Sequence, residues 1–451
     1  MELDLPELNG STRSVVRIPE QQNVVVSDRV LRLIETSEFQ RLRSLSQLGL
    51  VAQVYPGAVH TRFEHSLGVY QLAREVIAHL LASDARFSAE ATPAEISLAL
   101  VSALLHDVGH WPYCHAIEDM GLDWVIRHEE FLGNHLASPG LGQLLNEDWG
   151  LEGSQIVDFL RSRPTAEYSL AGTVLRNVLN GPVDVDKMDY LARDSLHAGV
   201  PYGRNFDSAR LINSLCIDWS AGRLCIDSKG KTAAEMLVFA RYVMFSEVYW
   251  HHAVRSATAM LQRLVFETSS SPSDRQSMLT SWRTASDSDF HSDVLKRATD
   301  NQGLTDLASV VIGPQRRLYK RVANLSWSDA PELHRRLRAM GFEQLVRAAE
   351  GLAERLASEP CLAAANITPT DVLIDAPPQK LEVQFKVAIR QTASGDFSPL
   401  SELSPVVHSL ATEQFDHFVK QVRVFVNPKL LEHISKASLS GLVTEHLRTR
   451  V

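Results

Sequence analysis

Residues 92–107 constrain the fold more than any other part of the chain. The sequence TPAE at their start combines a threonine N-cap, a proline at the first helical position and a glutamate that closes a capping box. The helix that follows is almost wholly apolar, which predicts a buried, central helix. It ends on His106 and Asp107, and a buried imidazole and carboxylate need partners or a metal ion.

Histidine is concentrated around this helix end. Eight of the 17 histidines lie between His60 and His135, in about a sixth of the chain. Chance and surface placement account for single histidines, but not for the adjacent pair at a buried helix end. Imidazole and carboxylate together suit Fe, Mn, Zn or Ni better than Mg. His65, at the start of a predicted amphipathic helix, offers a second imidazole.

A further carboxylate is available in the segment VDVDKMDYLARD, residues 183–194. If the segment is helical, Asp186, Tyr190 and Asp194 are spaced i, i+4, i+8 and share one face. A solvated acidic helix has the same pattern, so the spacing alone leaves both interpretations open.

The rest of the chain predicts a mostly α fold, with a helical body over residues 1–267 and a smaller α+β region over 268–451. Apolar residues recur at helical spacing in four segments of the first half: Asp28–Gln47, Glu64–Leu81, Pro93–His106 and Ala233–Phe266. A hairpin is predicted around Ser220–Arg223. The Ser- and Asp-rich residues 268–292 indicate a surface loop or helix connection. Beyond them we predict a basic amphipathic helix and two strands: Pro331–Ser358, Leu381–Ile389 and Gln421–Val426.

Composition excludes several classes of protein. A formal net charge of −9 argues against general nucleic-acid coating, although nucleic-acid binding stays open. No apolar run is long enough to span a bilayer, and the N-terminus lacks a secretory signal pattern. Four cysteines in 451 residues do not form a disulfide framework. We therefore expect a cytoplasmic protein with no membrane partner.

Five sequence segments, in this order, resemble the HD-domain deoxynucleoside triphosphate triphosphohydrolases. They are FQRLRSLSQLG, YPGAVHTRFEHSLGV, LLHDVGHWPYCH, RHEEF and NGPVDVDKMDYLARDSLHAGV. The resemblance covers roughly residues 15–260 and includes the bacterial enzymes and the SAM- and HD-domain-containing enzyme, with no SAM domain predicted here. It implies an HD-type domain over 1–267 and leaves an oligomerisation or regulatory role open for 268–451.

The resemblance implies a metal site and an acid/base group. The H…HD…D signature corresponds to His65, His106, Asp107 and Asp186 as ligands of Fe, Mn or Zn, and Mg on the substrate phosphates stays open. Such an ion lowers the pKa of a bound water and polarises a phosphate oxygen. The implied catalytic residues are His110, beside the α-phosphate, and His115, His128 and Glu118. Glu118 stands where the family usually has Asp.

The implied substrates are deoxynucleoside triphosphates, cleaved to deoxynucleoside and inorganic triphosphate by a homo-oligomer, either dimer or tetramer. Arg62, Lys187, Tyr190 and Arg241 are the implied phosphate contacts, since guanidinium and ammonium groups bind phosphate oxygens. Gln47 and Asp194 correspond to residues that bind the sugar 3′-hydroxyl, and Tyr249 to one that stacks on the base.

Two segments depart from the family pattern, and two other functions stay open. Residues 17–28 (RIPEQQNVVVSD) do not match the sequence that the family usually has at its guanine-nucleotide activator site. The basic residues of PQRRLYKRV (314–322) favour a solvated helix face, and a second regulatory site stays open as the alternative. The alternative functions are an HD-type phosphodiesterase or nuclease, and a nucleotide-binding sensor without turnover.

Overall fold

The computed structural model of the protein describes residues 5–9, 14–19, 22–377, 387–391, 395–410 and 419–450. Most of these residues are helical, which confirms the predicted fold class. The α-helices are α1 Asp28–Ile34, α2 Ser37–Gln40, α3 Arg62–Ser83, α4 Ala85–Glu90, α5 Pro93–Leu105, α6 Cys114–Glu118, α7 His128–Leu136, α8 Pro139–Trp149, α9 Gly153–Leu160, α10 Leu170–Asn180, α11 Val185–Ala198, α12 Ser208–Ile212, α13 Lys231–Met244, α14 His252–Thr268, α15 Pro272–Trp282, α16 Asp287–Arg297, α17 Gln302–Val311, α18 Pro331–Ala339, α19 Phe342–Ala357, α20 Leu400–Leu403, α21 Pro405–Ser409 and α22 Lys436–Arg450.

Nine short strands form three small sheets among the described residues. The strands are β1 Ser14–Ile18, β2 Gln22–Val26, β3 Leu215–Asp218, β4 Arg223–Asp227, β5 Lys320–Leu325, β6 Val372–Asp375, β7 Ala388–Arg390, β8 Phe397–Pro399 and β9 Val422–Val426. The sheet orders are β1-β2, β3-β4-β7-β8 and β5-β9-β6, and β4-β7 is the parallel pair. The β3-β4 hairpin, with Cys216 opposite Cys225, confirms the predicted one.

Helix α5 occupies the centre of the N-terminal half, as its sequence predicts. Every residue from Ile96 to Leu105 is buried. The Thr92 hydroxyl accepts from the Glu95 backbone N–H, and the Glu95 carboxylate accepts from the Thr92 backbone N–H, so the capping box is confirmed. Helices α3 and α10 pack against α5 and enclose it in the largest hydrophobic core.

A second hydrophobic core takes residues from both sides of position 267. Trp111, next to the buried helix end, stacks on Trp282 of α15 with ring centroids 5.2 Å apart. Parallel pairing of β4 with β7 adds residues from the C-terminal third to the N-terminal hairpin. The two halves therefore share packing, and a division at 267 stays a prediction.

Residues 268–292, predicted as a surface loop or helix connection, are mostly helical, because α15 and most of α16 lie there and only short connections remain. Ser271 with Asp274, and Ser286 with Asp289, form capping boxes at the two helix starts. Serine and aspartate favour loops and helix N-caps alike. Here they mark helix starts, so composition alone misassigned the segment.

Three other predicted elements change in length. Pro331–Ser358 is two helices, because Met340 is extended and Gly341 precedes the start of α19. Asp28–Gln47 is broken where Thr36 caps a new helix. The stretch from Ala233 is helical to Tyr249, where Phe245–Tyr249 is a π-helical turn, and it breaks at Trp250 and His251 before α14. Of the predicted strand Leu381–Ile389, Ala388 and Ile389 belong to β7, Val387 precedes it, and residues 381–386 lie outside the described residues. The strand Gln421–Val426 is confirmed as β9.

Replacing Trp282 by Ala is expected to lower the free energy of unfolding by about 3–5 kcal/mol. Its side chain is fully buried against Trp111 and Phe290, so the variant leaves a large cavity. Trp327, which is 38% exposed, is the matched control, and its replacement by Ala is expected to cost less than about 1 kcal/mol. Urea unfolding monitored by far-UV circular dichroism measures both. Equal losses in the two variants would contradict the described core.

Candidate metal and phosphate site

The end of the buried helix meets the first turns of two other helices. His106 caps α5, His65 lies one turn into α3, and Asp186 lies in the first turn of α11. His65 Nε2 lies 3.3 Å from His106 Nε2 and 3.0 Å from Asp186 Oδ1. Asp107 Oδ1 lies 3.2 Å from His106 Nε2. The four residues predicted as metal ligands therefore converge in one place.

This set of donor atoms fits a divalent ion. Neighbouring ligands at about 2.1 Å from one octahedral ion lie about 3.0 Å apart. Burial alone lowers the pKa of His65, but hydrogen bonds to Asp186 and Asp189 raise it to about 10. The cluster therefore favours positive charge, and two imidazoles with two carboxylates suit a transition metal.

Asp189 orients the His65 imidazole from the side opposite the cluster. Its Oδ2 lies 2.8 Å from His65 Nδ1, which leaves Nε2 facing the cluster. Arg193 donates two hydrogen bonds to the same carboxylate, and a Cβ on Gly68 would lie 1.9 Å from Asp189 Oδ1. Sequence reasoning missed Asp189. The available signal was its i, i+4 spacing to Arg193, one turn after Asp186.

Replacing Asp189 by Asn is expected to weaken metal affinity about 10- to 100-fold, because the amide cannot accept as a carboxylate does from His65 and Arg193. Asp293→Asn is the matched control, since Asp293 also pairs with an arginine at i+4 but is only partly buried and does not line the cavity. Competition with a chromogenic chelator measures both affinities. An unchanged affinity in Asp189→Asn would show that His65 does not bind the metal through Nε2.

Three more histidines and one glutamate lie beside the metal cluster. His110 Nε2 is 3.2 Å from His115 Nε2, and Glu118 Oε1 is 3.0 Å from His128 Nδ1. Burial alone raises the pKa of Glu118, but hydrogen bonds from His115 and His128 hold it well below its usual range. The carboxylate is therefore charged. The His115 side chain is 61% exposed, so it is open to a ligand.

A cavity of about 660 Å³ joins these groups. Of the predicted substrate residues, Gln47, Arg62 and Tyr190 line it. Arg127 and Arg161 line it as well, and sequence reasoning missed both because no spacing pattern links them to the histidines. The cavity therefore combines a metal-type cluster with several guanidinium groups.

A short backbone pairing places Gln47 next to Arg62. The Gln47 backbone N–H donates to the His60 carbonyl, and the Arg62 N–H donates to the Leu45 carbonyl. The Arg62 guanidinium donates to Asp107 Oδ2 at 2.8 Å. The Gln47 side-chain Oε1 is buried and has no hydrogen-bond partner among the described residues. It is therefore an acceptor available to a ligand.

The other predicted substrate residues do not line this cavity. Asp194 is buried, and its two oxygens accept from His60, at 2.9 Å, and from the Tyr249 hydroxyl, at 2.6 Å. The Lys187 ammonium contacts Asp184. The Arg241 guanidinium carbon lies 5.5 Å from the centre of the Phe245 ring.

The basic run near residue 316 is not a helix face, so that prediction is wrong. Residues 314–319 are irregular and Lys320 begins β5, whose pairing with β9 replaces helical hydrogen bonds. Arg316, Arg317 and Arg321 line a separate cavity of about 520 Å³. Of the departing segment 17–28, the described residues belong to the β1-β2 hairpin and the start of α1.

Two family models match the chain. The HD domain matches residues 62–194, which contain all four residues of the His/Asp cluster, and the HD associated region matches residues 206–447, more than half of the chain. The chain belongs to the HD-domain phosphohydrolase family. Proteins of this family bind divalent metals, which agrees with the donor set described above.

Relatives match this HD-domain protein over about half of its length. An uncharacterised protein of Methanocaldococcus jannaschii is 36% identical over 255 residues, which are 56% of this chain and 49% of that protein. YwfO of Bacillus subtilis, also uncharacterised, is 32% identical over 56% of each chain. The deoxynucleoside triphosphate triphosphohydrolase SAMHD1 of Gallus gallus is 30% identical over 52% of this chain and 42% of its own length. The matches span about half the length of these curated relatives.

Solved structures share the fold over nearly the whole chain. A hypothetical protein from Aquifex aeolicus superposes with a TM-score of 0.68 at 25% identity, covering 94% of this chain and 99% of the other. A phosphohydrolase from Bacteroides thetaiotaomicron gives 0.65 at 22% identity, covering 92% and 100%. Among the described residues no helix has the length and apolarity to cross a bilayer.

Proposed function

We propose that the protein hydrolyses deoxynucleoside triphosphates to a deoxynucleoside and inorganic triphosphate. The observation that carries the proposal is the 660 Å³ cavity, in which the metal-type cluster, an exposed histidine and three arginines meet. A chain of phosphates needs several cations beside the reacting phosphorus, whereas a single diester needs fewer. The similarity to SAMHD1 proteins, named as triphosphohydrolases, supports the same substrate class.

The chemistry requires one group that donates a proton. A divalent ion held by His65, His106, Asp107 and Asp186 would acidify a water and polarise an α-phosphate oxygen. His115, exposed to the cavity, protonates the leaving 5′-oxygen. Glu118 lies 3.7 Å from His115 Nδ1 and stabilises the imidazolium form.

Recognition divides between the phosphates and the sugar. We assign Arg62, next to the proposed metal ligands, to the α-phosphate, and Arg127 and Arg161, which also line the cavity, to phosphates farther out. The unpaired Gln47 Oε1 accepts from the 3′-hydroxyl, because a buried acceptor without a partner is costly. Asp194 keeps lone pairs beyond those used by His60 and Tyr249, but it is buried and does not line the cavity, so contact with the same hydroxyl needs movement of the site.

Apart from Tyr190, the remaining proposed substrate contacts need side-chain movement. Lys187 must leave Asp184 to reach a phosphate. Tyr190 already lines the cavity. Arg241 and Tyr249, the proposed base-stacking ring, lie near Tyr190 but do not line the cavity. We also propose a homo-oligomer and an Fe, Mn or Zn ion, on the resemblance alone.

The test compares substrates with metal-loaded protein. Each of the four deoxynucleoside triphosphates, a cyclic dinucleotide and a linear diester are incubated separately, and products are separated by ion-exchange chromatography. We expect inorganic triphosphate from at least one deoxynucleoside triphosphate. Faster cleavage of a diester would support the phosphodiesterase alternative, and tight binding without product would support a sensor.

Replacing Arg161 by Ala is expected to raise KM for a deoxynucleoside triphosphate about fivefold with little change in kcat, since an exposed charge contact contributes about 1 kcal/mol. Arg163→Ala is the matched control, because Arg163 is exposed two residues away and does not line the cavity. Steady-state kinetics measures both. Equal effects of the two variants would remove Arg161 from the phosphate site.

A further inference from the structure

We propose that His110, Cys114, His115 and His128 form a second cation site, for a thiophilic ion such as Zn²⁺, which blocks the acid/base histidines when it is filled. Binding at this site is independent of the proposed function. Only its inhibitory consequence rests on that function. The site would switch the enzyme off when thiophilic ions exceed what the HD ligands bind.

The spacing of the donor atoms supports this site. One nitrogen from each of the three histidines and the Cys114 sulfur lie within 4.8 Å of one another. The 3.2 Å between His110 Nε2 and His115 Nε2 matches an edge of a zinc tetrahedron, which is about 3.3 Å for ligands at about 2.0–2.1 Å. Small side-chain shifts would bring the remaining donors to ligand distance.

Oxygen acceptors orient all three imidazoles. His110 Nδ1 lies 3.2 Å from the Asp107 carbonyl oxygen, and His128 Nδ1 lies 3.0 Å from Glu118 Oε1. His115 Nδ1 faces the same glutamate at 3.7 Å. His110 and His128 therefore have Nδ1 engaged in hydrogen bonds, which leaves Nε2 for an ion as in most metal-binding histidines, and His115 turns its Nδ1 toward the same glutamate.

Cys114 distinguishes this group from an ordinary histidine cluster. Tyr113 adopts a left-handed conformation (φ 56°), rare for a non-glycine residue, and the turn brings Cys114 and His115 to the same side as His110. The thiol is 1% exposed. An ion bound there displaces the thiol proton to solvent and forms the metal–sulfur bond in its place.

The two cation sites select different ions. The HD ligands include two carboxylates, which suit harder ions such as Mn²⁺, whereas one thiolate and three imidazoles suit Zn²⁺, Cd²⁺ or Co²⁺. The second set of donors binds Mg²⁺ poorly. An ion bound to His115 occupies the imidazole lone pair that would carry the proton, so that His115 can no longer protonate a leaving group.

The experiment titrates Co²⁺ into protein already loaded with one equivalent of Mn²⁺ and records the near-ultraviolet thiolate-to-cobalt charge-transfer band. We expect the band to appear with about one further equivalent, and excess Zn²⁺ to abolish it. Cys114→Ser and Cys114→Ala should lose the band, while Cys216→Ser, which changes a cysteine of the β3-β4 hairpin, should keep it. Asp186→Ala should also keep it, because it changes the HD ligands only.

The same variants test whether an ion in this site inhibits hydrolysis. Zn²⁺ inhibition of triphosphate release should require at least about tenfold more Zn²⁺ in Cys114→Ser than in wild type, with unchanged activity in Mn²⁺ alone. Absence of the band in wild type, or an equal band in Cys114→Ser, would overturn the site. If no triphosphate is released at all, the proposed function fails, whereas the band still decides on the site.

Discussion

Replacing Asp186 by Ala is expected to lower metal affinity by at least about 100-fold and to remove hydrolysis. Changing a residue that only supports a ligand typically costs 10- to 100-fold, so loss of a direct ligand costs no less. Asp186 Oδ1 contacts the nitrogens of both His65, at 3.0 Å, and His106, at 3.9 Å. Its loss therefore opens one side of the cluster. Metal content after dialysis and triphosphate release measure the two effects.

The fold should survive this change. Asp186 lies in the first turn of α11, where a carboxylate contributes about 0.3–1 kcal/mol through the helix dipole. Asp28→Ala is the matched control, since Asp28 lies in the first turn of α1 and is exposed. Both variants should unfold at similar denaturant concentrations, and the control should keep its metal. Unchanged metal content in Asp186→Ala would mean that another residue is the fourth ligand.

Replacing His115 by Gln is expected to lower kcat about 100- to 10,000-fold while metal content stays normal, because the variant loses its general acid. Its side chain is 61% exposed and makes few packing contacts, so the fold is retained. His433→Gln, at an exposed histidine in the C-terminal region, is the control and should keep full activity. Single-turnover kinetics with metal-loaded protein separates the chemical step from product release.

Glu118 should act through His115 rather than on the substrate. Glu118→Gln alone is expected to lower kcat, since it removes the charge that stabilises the imidazolium. The variant that combines His115→Gln with Glu118→Gln should then be no slower than His115→Gln alone, because the effects of residues that act as a unit are not additive. Additive losses would mean that Glu118 has a separate role.

The four proposed metal ligands could be identified in the sequence because each lies at a position where a local pattern fixes the backbone. His106 and Asp107 follow a capped, apolar helix, and His65 and Asp186 each lie in the first turn or two of a helix. That the four converge follows from how α3, α5 and α11 pack, which spacing alone does not give. The expectation that the four residues converge came from the resemblance to the HD-domain family.

Other parts of the site could not be predicted from local patterns. Arg127 and Arg161 line the cavity from separate segments, and only tertiary packing brings them to the histidines. Ser271 and Ser286 begin helices although their composition resembles a loop. Lys320 was assigned to a helix face, but pairing of its strand with β9, more than a hundred residues later, decides its conformation.

The central claim is hydrolysis at the α-phosphorus, and labelling with heavy-oxygen water tests it most directly. Metal-loaded protein is incubated with a deoxynucleoside triphosphate in this water, and phosphorus NMR and mass spectrometry locate the label. Water attack on the α-phosphorus predicts one labelled oxygen in inorganic triphosphate and none in the deoxynucleoside. Label in pyrophosphate or phosphate only, or in the deoxynucleoside hydroxyl, would contradict the proposed reaction.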